Sequence, residues 1–162
     1  MAKHVGAFVA TTTSTKNVDW VKDLGADLVI DYKQDDFEKF LHDYDVVLNS
    51  QDSTTLTKSL NVLKPGGKLI SISGPPDPAF GEEIKAPWFV KLILRLLSSG
   101  VRKKAKDRKV SFSFLFMKAN GKQLREITAL IDSGAIRPVV ERVFPFDATP
   151  QALAHVEAGR AK

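Results

Sequence analysis

The chain has 162 residues, of which 43% are hydrophobic, and a formal net charge of +5. This length and composition fit one globular domain with a sizeable core and argue against two independent domains. The chain has no cysteine, and its histidines (His4, His42 and His155) are not spaced as zinc ligands, so disulfides and thiolate metal sites are excluded and no metal site is expected. The N-terminus lacks the features of a signal peptide, which predicts a cytoplasmic location.

The first half of the chain alternates apolar strands with helical stretches. Glycines and prolines lie where these elements end, as at Gly25 and at Pro65-Gly66-Gly67. This alternation is typical of a parallel sheet flanked by helices in an α/β fold. The predicted elements are strand 7–13, helix 16–24, strand 28–31, helix 35–43, strand 45–50, helix 53–63 and strand 68–73.

The second half begins with a proline-rich loop and a stretch, residues 88–97, that is apolar on nearly every side. This stretch is shorter than the about 20 residues of a membrane span, so no membrane partner is expected. We predict a helix buried against the sheet or at a subunit contact, with the wall of a substrate pocket as the alternative. The remaining predicted elements are strand 110–116, helix 121–133, strand 137–144 and a last helix from Pro150.

A basic run at residues 102–109 is the densest source of positive charge. Charge runs usually lie on solvent-exposed segments, and we favour this interpretation over a nucleic-acid site. The adjacent aromatic residues of an RNA-binding sheet are not evident, so no nucleic-acid partner is expected.

Hydroxyl and cationic residues follow the first predicted strand, where NAD-dependent enzymes place a carboxylate for the ribose hydroxyls. The hydroxyls of residues 12–15 (Thr12, Thr13, Ser14 and Thr15) together with the Lys16 cation suit a 2′-phosphate, because a phosphate supplies hydrogen-bond acceptors and a negative charge that a carboxylate would repel. The alternative is that Ser14 or Thr15 caps the following helix and that Lys16 is solvated.

Candidate binding residues also follow the next two strands. Tyr32 ends the second strand, where it can contact an adenine or a phosphate, or simply pack at the sheet edge. Asn49, Ser50 and Gln51 follow the third strand, at the edge where open α/β sheets bind ligands, or they form a turn. No nucleophile, base and orienting acid can be assembled from the sequence, so no catalytic residue is assigned.

Several longer segments together resemble one protein family. The combination of L-G-A-D, I-D-Y and G-x-I-x-P is similar to medium-chain dehydrogenase/reductases, most of all to their zinc-independent, quinone-oxidoreductase-like branch. The resemblance covers nearly the whole chain. The segments that carry it are 14–27, 29–32, 63–68, 130–140, 144–146 and 154–160.

The resemblance implies a Rossmann-like, mostly parallel sheet and NADPH-dependent reduction of a small quinone, enone or related carbonyl compound. Its position-by-position transfer implies 2′-phosphate contacts from Ser14 and Lys16 and an adenosine contact from Tyr32. It also implies cofactor contacts from residues after the third strand and at 114–116. These are Asn49 and Ser50 near the ribose, and Phe114 and Phe116 facing the nicotinamide unless their strand is ordinary core.

The resemblance further implies parts that do not occur in these 162 residues: the N-terminal catalytic domain, the first Rossmann strand and its glycine-rich turn. Family members also often carry a glycine-rich turn after the third strand, where this chain has Ser50-Gln51-Asp52-Ser53. We therefore expect residues 1–162 to form a single truncated dinucleotide-binding domain that is inactive or weakly active by itself.

The absent strand is central in the order 3-2-1-4-5-6, so strands 7–13 and 45–50 would flank a gap. Unpaired backbone groups cost free energy when they are buried. Our hypothesis is that these two strands pair directly, or that another chain supplies the pairing.

Two other functions remain as alternatives. An apolar Asp45–Leu48 run followed by L-K-P-G-G also occurs in S-adenosylmethionine-dependent methyltransferases, although no acidic residue ends the first predicted strand. A non-enzymatic module can dimerise through an exposed strand at 110–116 or 137–144. A homodimer formed through such an edge strand is also what we expect of the oxidoreductase.

Overall fold

The computed structural model describes residues 1–159, so Arg160, the last residue of the family-like segments, lies outside the described part. The chain divides into two compact units. One unit comprises residues 9–119, and the other comprises residues 1–8 together with the C-terminal segment from Asn120 onward.

The unit of residues 9–119 contains parallel sheets flanked by helices, which confirms the predicted α/β fold class. Its strands are β1 (Ala10–Thr13), β2 (Leu28–Asp31), β3 (Tyr44–Asn49), β4 (Leu63–Ser71) and β5 (Ser111–Phe114). Its α-helices are α1 (Val18–Asp23), α2 (Ser53–Ser59), α3 (Pro78–Glu83), α4 (Trp88–Leu97) and α5 (Ser99–Asp107), and short 3-10 turns lie at Thr15–Asn17 and Phe37–Lys39.

The five strands form two separate sheets. β1 pairs with β2, placing Thr13 opposite Asp31, and β3, β4 and β5 form a three-stranded sheet in that order. The hypothesis that strands 7–13 and 45–50 pair directly is therefore wrong, since β1 and β3 belong to different sheets. Within the described chain, one edge of β1 and one edge of β3 have no neighbouring strand, and Leu48 on β3 is 64% exposed.

Two clusters of buried side chains hold this unit together. The first is formed by α2, β4, α5 and the start of β5, with Leu56, Leu60 and Leu69 among its most buried members. The second contains Ile30 of β2 with Leu41 and Val62. Tyr44 and Val47 of β3 pack against both clusters, so the two sheets share a continuous core without sharing a hydrogen-bonded edge.

The Pro65-Gly66-Gly67 segment lies inside β4, although we predicted a helix over 53–63 and a strand only from residue 68. Helix α2 ends at Ser59, and the strand begins at Leu63. The register of the pairing between β3 and β4 shifts between Tyr44 and Val46. Tyr44 lies opposite Leu63 and Val46 lies opposite Lys68, so the additional residues of β4 form an irregularity in the pairing. Gly67 permits this close approach, because a Cβ there would lie 2.9 Å from the Lys64 carbonyl oxygen.

The predicted helix at 35–43 is reduced to the single turn Phe37–Lys39. Leu41 is buried in the second cluster, and Asp43 adopts a left-handed backbone conformation with φ 61°. The chain therefore leaves the helical path to bury Leu41 and enter β3, so tertiary packing overrides the local helical pattern.

The predicted apolar helix at 88–97 forms as α4, but it is not buried against a sheet. Its apolar side chains at 88, 89, 92, 93, 96 and 97 are exposed, and its opposite side packs on α3, where Leu94 approaches Gly81. The following basic run lies mostly on α5, with Ala105 buried and its cations exposed to solvent.

The described part of the second unit contains two α-helices, α6 (Gly121–Asp132) and α7 (Thr149–Glu157), with 3-10 turns at Lys3–Val5 and Phe146–Ala148. The predicted strand at 137–144 is absent from it, and Val140 and Val143 are exposed. A strand needs a hydrogen-bonded neighbour, which no described strand provides here, and Pro138 lacks an N–H donor. The apolar pattern of these residues therefore does not produce a sheet.

Candidate functional site

The ends of β1 and β2 bring the predicted phosphate-binding residues together. The Tyr32 amide donates to the Thr13 carbonyl at 3.1 Å, which continues the pairing one step beyond the strands. Ser14 and Tyr32 therefore lie side by side, and Ser14 directly precedes the turn Thr15–Asn17 that leads into α1. Lys16 lies in that turn with its side chain exposed.

The Ser14 side chain does not cap the following helical turn, so the alternative role for this residue is wrong. Its Oγ instead accepts a hydrogen bond from Asn17 Nδ2 at 3.4 Å. Thr15 has a different partner, because its side chain hydrogen-bonds Asp31 and so lowers the pKa of that carboxyl group below its usual value. The Lys33 amide also donates to Asp31 Oδ1 at 3.0 Å.

This arrangement leaves Ser14, Lys16 and Tyr32 as the groups available to a ligand at this edge. The Asp31 carboxylate also lies at this edge, where its hydrogen bonds with the Thr15 side chain and the Lys33 amide lower its pKa and so favour its charged form. Tyr32 is largely exposed, and no ion pair between described residues engages Lys16. A hydroxyl, a cation and a phenol thus surround the position where a phosphate can bind.

Beyond β3, the structure separates Asn49 from Ser50. Asn49 is 3% exposed, and its Nδ2 donates to the Gln51 carbonyl at 3.2 Å and to Ser71 Oγ at 3.4 Å. Its amide nitrogen is therefore occupied in closing the turn after β3. Ser50 is exposed, and its Oγ accepts only a weak 3.3 Å bond from its neighbour Gln51.

Ser71 and Ser73 belong to the same turn and were missed by the sequence analysis. Ser71 is fully buried and donates to the Ser73 carbonyl, while Ser73 Oγ donates to the Gln51 carbonyl. The sequence could have indicated both serines, because they lie at the end of the apolar strand that follows β3 in the chain. These bonds link the ends of β3 and β4.

Phe114 and Phe116 contact a third aromatic ring. The Phe80 ring of α3 meets Phe114 edge-on at 5.3 Å between centroids and lies 5.5 Å from Phe116 at a tilt. Phe114 is partly buried, whereas Phe116 is exposed beyond the end of β5. The three rings form an apolar wall at the carboxyl end of the three-stranded sheet, with Phe116 as its accessible member.

Asp77, also missed by the sequence analysis, fixes this wall. Its Oδ1 accepts from the Phe80 amide at 2.9 Å, and its Oδ2 accepts from the Phe114 amide at 3.1 Å. One buried carboxylate therefore begins α3 and holds it to the end of β5. The sequence signal was an aspartate directly before Pro78, a frequent pattern at helix starts.

The described residues contain no group of three or more His, Asp or Glu side chains that could hold one metal ion. Residues 1–159 also contain no helix long and apolar enough to cross a membrane.

The candidate residues thus form two sets on two sheets. Ser14, Lys16 and Tyr32 lie at the end of the two-stranded sheet, and Ser50, Phe114 and Phe116 lie at the end of the three-stranded sheet. Since ligands of open α/β sheets bind outside the carboxyl ends of strands, each set has the position that a nucleotide site requires.

Residues 24–162 match the family model described as a zinc-binding dehydrogenase. The chain is 32% identical over 167 residues to the zebrafish mitochondrial NAD(P)H oxidoreductase RTN4IP1, covering 100% of this chain and 43% of that protein. It is 29% identical to a tomato 2-methylene-furan-3-one reductase, covering 99% of this chain and 34% of the other. An Arabidopsis chloroplastic NADPH-dependent alkenal/one oxidoreductase is also 29% identical, with the same coverage.

Solved structures show the same fold. A quinone oxidoreductase from Coxiella burnetii superposes with a TM-score of 0.75 at 22% identity, covering 99% of this chain and 44% of that one. The CurK enoyl reductase superposes with a TM-score of 0.71 at 21% identity, covering 98% of this chain and 46% of the other. The chain therefore spans less than half the length of the relatives and structures that it matches.

Proposed function

Because the chain belongs to the zinc-binding dehydrogenase family, within the medium-chain dehydrogenase/reductase superfamily, we propose that it is the cofactor-binding portion of an NADPH-dependent oxidoreductase. Its substrate is a small quinone, enone or related carbonyl compound, and the 162 residues alone have little or no activity. The observation that carries the cofactor assignment is that Ser14 and Lys16 both lie directly after β1, next to the end of β2 where Tyr32 lies. The family match over residues 24–162 argues against the methyltransferase alternative.

The residues after β1 fit the 2′-phosphate that distinguishes NADPH from NADH. The Ser14 hydroxyl can donate to a phosphate oxygen, since its recorded bond to Asn17 uses it only as an acceptor. Lys16 supplies a positive charge from an exposed position. A carboxylate at the same strand end would instead accept from the ribose hydroxyls, as in NAD-dependent enzymes.

The residues after β3 and β5 supply the other half of the proposed site. Ser50 offers an exposed hydroxyl near the ribose, while Asn49 contributes by holding the turn rather than by touching the cofactor. Phe116 presents an apolar ring on the wall that Phe80 and Phe114 form, suited to one face of a nicotinamide. The nicotinamide supplies the hydride chemistry when bound, and these residues position it and limit the access of water.

The unpaired edges of β1 and β3 indicate how the site is completed. A parallel strand inserted between them would join the two sheets in the order 3-2-1-4-5-6. In that order, the helix following the inserted strand directs its N-terminus toward the pyrophosphate. We propose that the protein needs this additional strand for full cofactor affinity, which agrees with the share of its relatives that the chain spans.

We also propose that the reaction is zinc-independent, as in the branch of the superfamily that the sequence resembles. We further propose that the protein is a homodimer joined through the outer edge of β5, because β5 ends its sheet and the predicted strand at 137–144 does not form. A cytoplasmic location also stays a prediction, and cell fractionation tests it.

Calorimetric titration with NADPH and NADH, of the wild type and a Lys16→Ala variant, tests the cofactor assignment. Loss of a charge-assisted hydrogen bond to phosphate, worth roughly 1.5–3 kcal/mol, should weaken NADPH binding by about tenfold to a hundredfold and leave NADH binding unchanged. Lys22→Ala, which removes an exposed lysine from α1, is the matched control. Equal affinity for the two cofactors would contradict the proposal, whereas no binding of either would mean that the additional strand and its helix are essential for binding.

A further inference from the structure

Helix α4 presents one continuous apolar face to solvent. The spacing of its exposed side chains follows the helical repeat, two neighbours on each turn, which places them on one side of the helix. Trp88 is 77% exposed and Leu96 is 64% exposed. The opposite side, with Lys91 and Leu94, packs on α3 around Gly81. Exposed apolar faces of this kind mark interaction surfaces.

A dense positive charge lies directly beside this face. Six of the eight residues from 102 to 109 are cationic and one is acidic. No salt bridge between described residues engages any of these cations. Their charge is therefore available to an anionic partner.

The apolar face and the cations open onto the same groove. The groove, with a volume of about 840 Å³, runs between α4, α5 and the start of β5. Its lining contains no carboxylate side chain. The apolar and cationic side chains that meet in it include Leu92, Leu96, Arg102, Lys103, Lys106 and Lys109.

We propose that α4 and α5 form a peripheral docking surface for an anionic phospholipid bilayer. The exposed face of α4 enters the boundary between headgroups and acyl chains, as amphipathic helices rich in Trp, Phe and Leu do. The cations of α5 contact the lipid phosphates and acidic headgroups. This surface lies on the membrane without crossing it, so it departs from the sequence-based expectation of no membrane partner and agrees with the absence of a spanning helix among the described residues.

Charge and shape favour a bilayer over other partners. A second copy docked about a twofold axis would present the same patch on both molecules, so it would bury the apolar face, but its groove lining would offer no carboxylate to the cations of α5. A nucleic acid would neutralise the cations but leave Trp88, Phe89 and Ile93 exposed to water. An anionic bilayer offers negative charge at its surface and an apolar layer directly beneath it.

The proposal is tested by flotation of the 162-residue chain with phosphatidylcholine vesicles, with or without about a quarter phosphatidylserine. Wild type should float with the anionic vesicles alone, and added salt should weaken binding because it screens the charges. Replacing Arg102, Lys103 and Lys106 by Gln should lower the partition coefficient on the order of a hundredfold. The double variant Trp88→Gln and Leu96→Gln should lower it by about tenfold or more.

Matched controls separate this surface from general charge and apolarity. Replacing Lys22, Lys39 and Lys122 by Gln removes the same charge from exposed positions elsewhere. The double variant Leu124→Gln and Leu153→Gln removes two comparably exposed apolar side chains from the other unit. Both controls should bind vesicles as wild type does. In a Trp20→Phe background, the emission of Trp88 should shift to shorter wavelength when anionic vesicles are added.

Several results would overturn the proposal. They are equal binding to both vesicle types, absence of binding, and an equal loss in the control variants. Binding of single-stranded RNA without vesicle binding would assign the cations to nucleic acid instead. A concentration-dependent mass that the double variant Trp88→Gln and Leu96→Gln abolishes, without vesicle binding, would assign α4 to self-association. None of these results depends on NADPH binding, so they are independent of the proposed activity.

Discussion

The two sheets of residues 9–119 differ in how deeply they are buried. In the three-stranded sheet, Leu69 and Ser71 of β4 are inaccessible to solvent, and α2 and α5 cover them with a leucine-rich cluster. In the two-stranded sheet, Ile30 is the one buried residue among the described strand positions, with 6% of its surface exposed. The three-stranded sheet is thus a stable scaffold, whereas the two-stranded sheet carries the proposed phosphate-binding residues on a weakly packed element.

Among the predicted changes in stability, the largest should come from the replacement Leu69→Ala in the three-stranded sheet. It removes a fully buried side chain from the main cluster, and we expect a loss of about 2–5 kcal/mol in the free energy of unfolding. Val29→Ala, at a half-buried position of β2, should cost about 1 kcal/mol. Urea denaturation measures both. Equal losses for the two variants would contradict the difference in burial.

The replacement Gly67→Ala tests the irregular pairing of β3 and β4. The added Cβ would lie 2.9 Å from the Lys64 carbonyl oxygen and 3.1 Å from the Tyr44 carbonyl oxygen, and backbone atoms cannot move aside easily. We expect a loss of about 1–3 kcal/mol in urea denaturation. In α5, Gly100→Ala has no atom within 4 Å of the new Cβ and should stabilise the protein by up to about 1 kcal/mol. A neutral Gly67→Ala would show that the register shift is not tightly packed.

The replacement Asp77→Ala should loosen the aromatic wall. It removes the cap of α3 and the acceptor for the Phe114 amide, for an expected loss of about 1–3 kcal/mol. Asp77→Asn keeps one acceptor oxygen for the Phe80 amide, so its loss should be smaller. Thermal unfolding monitored by near-ultraviolet circular dichroism compares the two. Equal losses of stability in Asp77→Asn and Asp77→Ala would contradict the proposed role of Asp77 in joining α3 to β5.

The smallest effect concerns the link between the two sheets. Lys58 on α2 pairs with Asp36, which follows β2, and the pKa of Asp36 is lowered mainly by its hydrogen bond with Lys58. A lowered carboxyl pKa contributes stability above its unfolded value of 3.8, and the contribution is lost as the pH falls through the lower folded value. The difference in melting temperature between wild type and Lys58→Met should therefore be present at neutral pH and vanish at strongly acid pH. The exposed control Lys22→Met should show no such pH dependence.

The positions of the proposed binding residues were accessible from the sequence because they depend on short-range rules. A polar or charged residue that directly follows an apolar strand lies at the carboxyl end of that strand, as found for Ser14, Tyr32 and Ser50. The hydrogen-bond partners of these side chains could not be predicted from the sequence in the same way. The bonds of Asn49 to Ser71 and of Asp77 to Phe114 join residues 22 and 37 positions apart, and no local pattern encodes them.

The sequence by itself determined the strand and helix alternation, the parallel α/β class and the apolar helix at 88–97, because these follow from periodicity and from local backbone chemistry. Only the tertiary structure decided that the strands form two sheets, that residues 137–144 remain outside any sheet, and that the apolar face of α4 is exposed. Strand pairing and burial require a partner surface at the right distance. Whether such a partner is present is a property of the folded chain and not of any segment taken alone.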